Sequence, residues 1–267
     1  WWALIIAVVF VISELVCVVC VPERPVACDE KPGKISDMFK ALFKNDQAMT
    51  VVVSIILVYT SLNICGNLVL YFFRFDVGNE GAYSIFAAVA FAAQVLVMMV
   101  IPLLRKRFSK SQLFISGFII QIAGFAVILI MAFAKLYTPQ SWYILCLPGI
   151  LIYLGYGMLN VIMTIFLSDS VDYGEVMNGT REESFIFSMQ TFTVKLASGV
   201  AVFLAGLVVD WIHLDTAAAV QTQDTLDALR MWMTIPSVIL LIVGIFVFKR
   251  FYKLDDARME EIKSKLN

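Results

Sequence analysis

The chain has 267 residues, of which 61% are hydrophobic and only 15% charged, at a mean hydropathy of +0.87. Soluble domains carry about 25% charge, so a water-exposed monomer is excluded and lipid must be the solvent of much of this surface. The formal net charge of −1 leaves no basic groove of the kind nucleic acid demands. Cys17 and Cys20 form a C-x-x-C inside an apolar run, which reads as a helix face rather than a zinc or redox site.

A helix needs about 20 apolar residues to cross a bilayer core. Seven stretches meet that need, at 1–21, 47–73, 82–104, 112–134, 142–168, 185–211 and 231–248. None alternates with a period of two, as membrane β-strands do. The expectation is an all-α membrane protein with seven transmembrane helices. Residues 1–21 form the first helix, 22–46 a loop, 47–248 a six-helix bundle and 249–267 a hydrophilic tail. Lys and Arg of short loops favour the cytoplasmic side. Arg24, Lys31, Lys34, Lys40 and Lys44 lie in the first loop, Arg105, Lys106, Arg107 and Lys110 in the third, and Arg181 in the fifth. Only Arg74, Lys135 and Arg230 lie on the opposite side. The pattern predicts a multi-pass protein of the cell membrane with a cytoplasmic tail. The abrupt start at Trp1, within a helix, is expected of a piece of a larger protein.

Polar residues inside the spans identify the faces turned away from lipid. The second span carries Tyr59, Asn63, Asn67 and Tyr71, each four residues after the last. The fifth carries Tyr156, Asn160, Thr164 and Ser168, and the sixth carries Ser184, Ser188, Thr191 and Lys195. Such spacing puts each set on one helical face. Three polar faces can line a wet cavity, although hydroxyls and amides also join helices by hydrogen bonds. The fourth and seventh spans, interrupted by Gln121 and Thr234, suit the lipid-facing periphery, and the third, with Gln94, is intermediate. Lys195 lies roughly 15 Å into its span, near the midplane. A lysine there costs at least about 2.5–3.5 kcal/mol unless water or a partner meets it. Glu14, in the first span, is the other ionisable group inside an apolar segment. Lone His213, at the edge of a span, has no nucleophile or metal partner in the sequence, and no enzyme activity is expected.

The fifth loop, from Asp169 to Ser184, concentrates carboxylates: Asp169, Asp172, Glu175, Glu182 and Glu183, with the single Arg181. It lacks the Gly and terminal Glu of an EF-hand, so a salt-bridged latch is the better reading. Asp169-Ser-Val-Asp172-Tyr-Gly-Glu175, Arg181-x-x-Ser184, Gln190-Thr191 and Lys195 together resemble the glycoside–pentoside–hexuronide:cation symporters of the major facilitator superfamily. The resemblance implies that the seven spans correspond to helices 6–12 of a twelve-helix carrier, and that five amino-terminal helices are missing. It further implies that Asp169, Asp172 and Arg181 help gate the cytoplasmic side, that Lys195 faces the cavity near the cation and sugar sites, and that Gln190 and Thr191 lie close to the sugar. Asn160 departs from the tryptophan found there in the melibiose carrier, so that carrier's galactoside specificity is not carried over.

The reading is a secondary transporter that moves a small sugar or glycoside with Na+ or H+ by alternating access. Tyr59, Asn63, Asn67, Tyr156, Asn160, Gln190 and Thr191 are the candidate substrate-binding residues, and Lys195 the coupling residue. No cofactor is expected, and the ligands of the coupling cation are expected in the missing amino-terminal helices, which with the lipid bilayer are the partners of this chain. The alternatives are a sodium-coupled carrier of a lipid-like substrate, or a non-transporting membrane receptor or scaffold.

Overall fold

A computed structural model describes residues 2–20, 42–179, 183–218 and 220–266. Seven of its helices are long and apolar enough to cross a membrane, and no strand occurs among the described residues. The chain divides into two units, 1–35 and 36–267. The first contributes helix α1 (Trp2–Cys20), whose sole charged residue is Glu14. The second contains α2 (Asp46–Tyr71), α3 (Ala82–Leu104), α4 (Lys110–Phe133), α5 (Cys146–Asn178), α6 (Glu183–Trp211), α7 (Gln223–Phe251) and the short α8 (Asp256–Leu266).

Local chemistry sets the ends of these helices. Asn45 caps α2 by accepting from Ala48 N at 2.9 Å, and Ser109 and Gln112 form a capping box at the start of α4. Each satisfies backbone donors that a helix start leaves orphaned. Thr222 does the same for α7 by accepting from Thr225 N at 3.2 Å. A π-helical turn, Phe72–Val77, prolongs α2 and stops at Gly78, whose φ of +75° favours glycine.

Within the second unit α2 packs against α6 and α7, α4 against α7 and α5, and α5 against α3, while α2 also touches α5. Fully buried aromatic rings fill the junction of α4, α5 and α7. Phe114 meets Phe118, Phe166 and Phe248 at centroid distances of 5.0, 5.1 and 4.5 Å. A polar clasp joins α2 to α7: Ser61 Oγ donates to Ser237 O at 3.0 Å, and Ser237 Oγ donates to Ser61 O at 2.8 Å. Such small-residue hydrogen bonds let membrane helices approach closely.

The seam between α4 and α5 is tighter still. A Cβ placed on Gly155 would lie 2.5 Å from Gly117 O and 2.6 Å from Gln121 N, and one on Gly124 would lie 2.7 Å from Ile152 N. At these glycines backbone meets backbone, with no side chain between the two helices at the Gly117–Gly155 crossing. Gly155→Ala is expected to destabilise the bundle by about 1–3 kcal/mol, the usual cost of overpacking. Gly199→Ala serves as its control, because a Cβ there meets nothing within 4 Å. Thermal unfolding in detergent checks the pair, and equal melting of both variants would contradict the close seam.

Three expectations need correction. Residues 169–178 are not a loop, because α5 continues to Asn178 and ends at Gly179, with φ +72°. Asp169, Ser170 and Val171 are buried there, which holds the helix past the apolar run. Likewise α7 begins at Gln223 rather than near residue 231, so Arg230 is helical. Finally, α3 buries less of itself than α4 or α7. The fourth span is no periphery: its Gln121 is fully buried, because Gly117 and Gly124 turn that face onto α5.

The hydrophilic tail also has structure. Leu254, Met259 and Ile262 are buried beside Tyr173 and Tyr252, which seats α8 on the end of the bundle. Burial, then the nearby carboxylates of Asp169 and Asp256, push the Tyr252 phenol well above its ordinary pKa, so it stays neutral.

Candidate functional site

The polar stripes of α2 and α5 meet at mid-length, and Gln190 of α6 joins them. Asn160 Nδ2 of α5 donates to the Tyr59 hydroxyl of α2 at 2.6 Å. One turn on, Thr164 Oγ1 donates to Asn160 O at 3.2 Å, and Gln190 Nε2 of α6 donates to Thr164 Oγ1 at 3.4 Å. A continuous polar chain thus runs across three helices. Tyr156 stands edge-on to Tyr59, with centroids 5.5 Å apart, and meets Tyr153 at 6.4 Å. The two tyrosines offer both hydroxyls and ring faces.

Asn63 and Asn67 extend the α2 stripe. Each donates its Nδ2 to the carbonyl four residues back, Tyr59 O and Asn63 O, at 2.7 Å. Each Oδ1 keeps its acceptor capacity. Thr191, on α6, is exposed and donates to Phe187 O at 3.4 Å. Lys195 follows one turn later, also exposed, and makes no ion pair among the described residues. Tyr59, Tyr156, Asn160 and Gln190 are therefore joined directly or through Thr164, and Asn63 and Asn67 prolong the chain through Tyr59 O and Asn63 O, while Thr191 and Lys195 share α6 without touching it.

The expected gate residues sit at the end that carries α8. Asp169 is buried and pairs with Lys110 at the start of α4, and Lys110 Nζ also lies 3.4 Å from Asp256 Oδ1. Arg105 approaches the same Asp256 oxygen at 3.4 Å. Asn45 Nδ2 donates to Ser170 O at 2.8 Å and ties α2 into this end. Asp172 is half-buried on the next turn of α5. Arg181 lies outside the described residues.

The opposite end contains a cluster that the sequence reading missed. Arg230 is 2% exposed. It donates to Asp76 through Nε at 2.8 Å and through a terminal nitrogen at 2.6 Å, and to Asp227 at 2.7 Å. Tyr137, between α4 and α5, donates its hydroxyl to Asp76 at 2.6 Å. Burial, reinforced by the Asp76 carboxylate, pushes the Tyr137 phenol well above its usual pKa, so it remains a donor into alkaline solution. Span counting placed Asp76 and Arg230 in separate outer loops. Their opposite charges at adjacent helix ends were the only available signal.

These features define a multi-pass helical membrane protein whose bundle carries one polar face formed by three helices. The MFS/sugar transport protein family model matches residues 1–256, and the chain belongs to that family, in agreement with the resemblance to the glycoside–pentoside–hexuronide symporters. It is 25% identical to the uncharacterized symporter YjmB of Bacillus subtilis, over 87% of this chain and 49% of that protein. It is 24% identical to the raffinose carrier protein of Pediococcus pentosaceus, over 87% of this chain and 35% of the carrier. With the isoprimeverose transporter of Lactiplantibacillus pentosus it shares 25% identity, over 95% of this chain and 51% of the transporter. The chain spans about half the length of YjmB and of the isoprimeverose transporter, and about a third of the raffinose carrier.

Proposed function

We propose that this chain forms the carboxy-terminal, sugar-facing half of a carrier that imports a small sugar or glycoside with Na+ or H+. The observation that carries the reading is the polar chain Tyr59–Asn160–Thr164–Gln190, which links three apolar helices and stays partly exposed along its length. Hydroxyls and amides so arranged suit a polyol, whose hydroxyls both donate and accept. The names of the similar raffinose and isoprimeverose carriers support the same substrate class. The boundaries at 1–21, 22–46, 47–248 and 249–267 then separate the last helix of the first half, a linking loop, the second half and the tail.

In this reading the remaining helices of the carrier complete the cavity and hold most ligands of the coupling cation. Alternating access comes from rocking of the two halves about the midplane site. The basic loops support a cytoplasmic α8 end in a cell-membrane protein. Asp169, Asp172 and Arg181 act there as the cytoplasmic gate, with Asp169 held by Lys110 in the conformation described. Uptake of a labelled sugar panel by the complete carrier, in vesicles with imposed Na+ or H+ gradients, tests the proposal. At least one glycoside should enter only with one of the two gradients, and gradient-independent behaviour toward every sugar would overturn it. Tyr59→Phe removes the acceptor of Asn160 and a sugar-facing hydroxyl. One such hydrogen bond is worth about 0.5–1.5 kcal/mol, so its KM should rise about threefold to tenfold with little change in maximal rate. An unchanged KM would remove Tyr59 from the binding set.

A further inference from the structure

Toward the Arg230 end, the facing surfaces of α2 and α6 enclose a separate cleft of about 360 Å3. Asn67, Tyr71, Val202, Ala205, Gly206 and Asp210 line it. That volume lies within the range of small-molecule sites. Asn67 follows Tyr59 by eight residues, so the cleft begins about 12 Å along α2 from the central polar chain. It is a different place from the Tyr59 site, on the same continuous stripe.

The lining has a definite chemistry. Asp210 is an exposed carboxylate, an acceptor with two oxygens suited to a pair of neighbouring hydroxyls. Asn67 has committed its Nδ2 to Asn63 O and offers its Oδ1 as a second acceptor. Tyr71 adds a phenol and an aromatic face, steadied by its nearly parallel neighbour Phe75 at 6.5 Å and 7°. Gly206 opens the floor, because a Cβ built there meets nothing within 4 Å. Acceptors for vicinal hydroxyls beside an aromatic face match a pyranose ring, which has hydroxyls at its rim and an apolar C–H face.

We propose that this cleft is a second sugar subsite. Asp210, Asn67 and Tyr71 receive a pyranose ring lying beyond the one bound at Tyr59, Tyr156 and Asn160. The inference rests on the sugar-transport reading above and deepens it, since it makes the cleft a determinant of selection for glycosides of more than one ring. Asp210 is a specificity-determining residue in this arrangement.

The test compares raffinose, a trisaccharide, with galactose, a monosaccharide, in the complete carrier. Transport KM is measured for whichever of the two is carried, and inhibition constants for the other. Asp210→Asn keeps the shape and removes the charge. It should weaken raffinose recognition at least fivefold more than galactose recognition. Gly206→Leu, which fills the cleft, should give the same selective loss. Asp215→Asn, on an exposed carboxylate in the following loop, should leave the raffinose-to-galactose ratio as in the wild type. Equal effects of Asp210→Asn on both sugars overturn the subsite, as does a changed ion dependence with an unchanged ratio. Wild-type recognition of galactose but not raffinose, or of neither while another sugar is transported, overturns it as well. If the wild-type carrier moves no sugar at all, the transport reading itself fails, a result distinct from any variant outcome.

Discussion

Lys195→Val is expected to abolish ion-driven accumulation of sugar by the complete carrier while leaving the protein in the membrane. The side chain is exposed on α6, one turn from Thr191. At mid-membrane it would be costly unless water or carboxylates of the other half meet it. Under the proposed coupling, a cation arriving at such carboxylates would compete with the ammonium group for them. We propose that Lys195 stands in for the coupling ion when the carrier is empty, so that its loss would uncouple the return step from ion binding. Lys195→Arg should restore little, because a planar guanidinium is bulkier and directs its donors differently. Accumulation at the wild-type level, at wild-type expression, would reduce Lys195 to a structural residue.

The second large effect lies at the other end of the bundle. Asp76→Ala strands the Arg230 guanidinium, which is almost wholly buried against Asp76 and the partly exposed Asp227. Breaking one partner from a buried pair typically costs about 3–5 kcal/mol, because an uncompensated charge remains. Asp227 moderates the loss, and water reaches it more readily, so a fall toward the lower figure is expected. Replacing both groups, as in Asp76→Leu with Arg230→Met, removes the stranded charge and should recover most of the stability. Thermal unfolding of the three carriers in detergent checks this. A single variant as stable as the wild type would show that Arg230 is satisfied without Asp76.

The seven apolar helices and the polar stripes were legible in the sequence because each depends on a local period. Tyr59, Asn160 and Thr164 of the polar chain are residues that the four-residue spacing had already selected, whereas Gln190 came from the family resemblance. What escaped depends on which face of each helix packs inward. Gln121 and Thr234 looked like interruptions of lipid-facing helices, yet both are fully buried. Only the placement of Gly117 against Gly155, and of Gly124 against Ile152, shows where α4 turns. Polar ends misled for a related reason. Asp169 and Arg230 sit where hydropathy falls, so span counting put them in loops. Ion pairs with Lys110 and Asp76, remote in sequence, hold both within helices.

The glycine seam has a mechanical consequence. Where two helices touch through backbone, as at Gly117 and Gly155, there are no rotamers to re-pack at the crossing, and sliding one past the other would drive the Gly117 carbonyl into the facing backbone. α4 and α5 therefore form a strut of fixed length and angle, carrying Lys110 and Asp169 at one end and Tyr137 at the other. In the proposed transport cycle, bending would fall to the softer joints, among them the α2–α6 face lined by small residues and open space. Distances measured between labels on α4 and α5 should stay constant between sugar-free and sugar-bound states, while those spanning α2 and α6 absorb the motion.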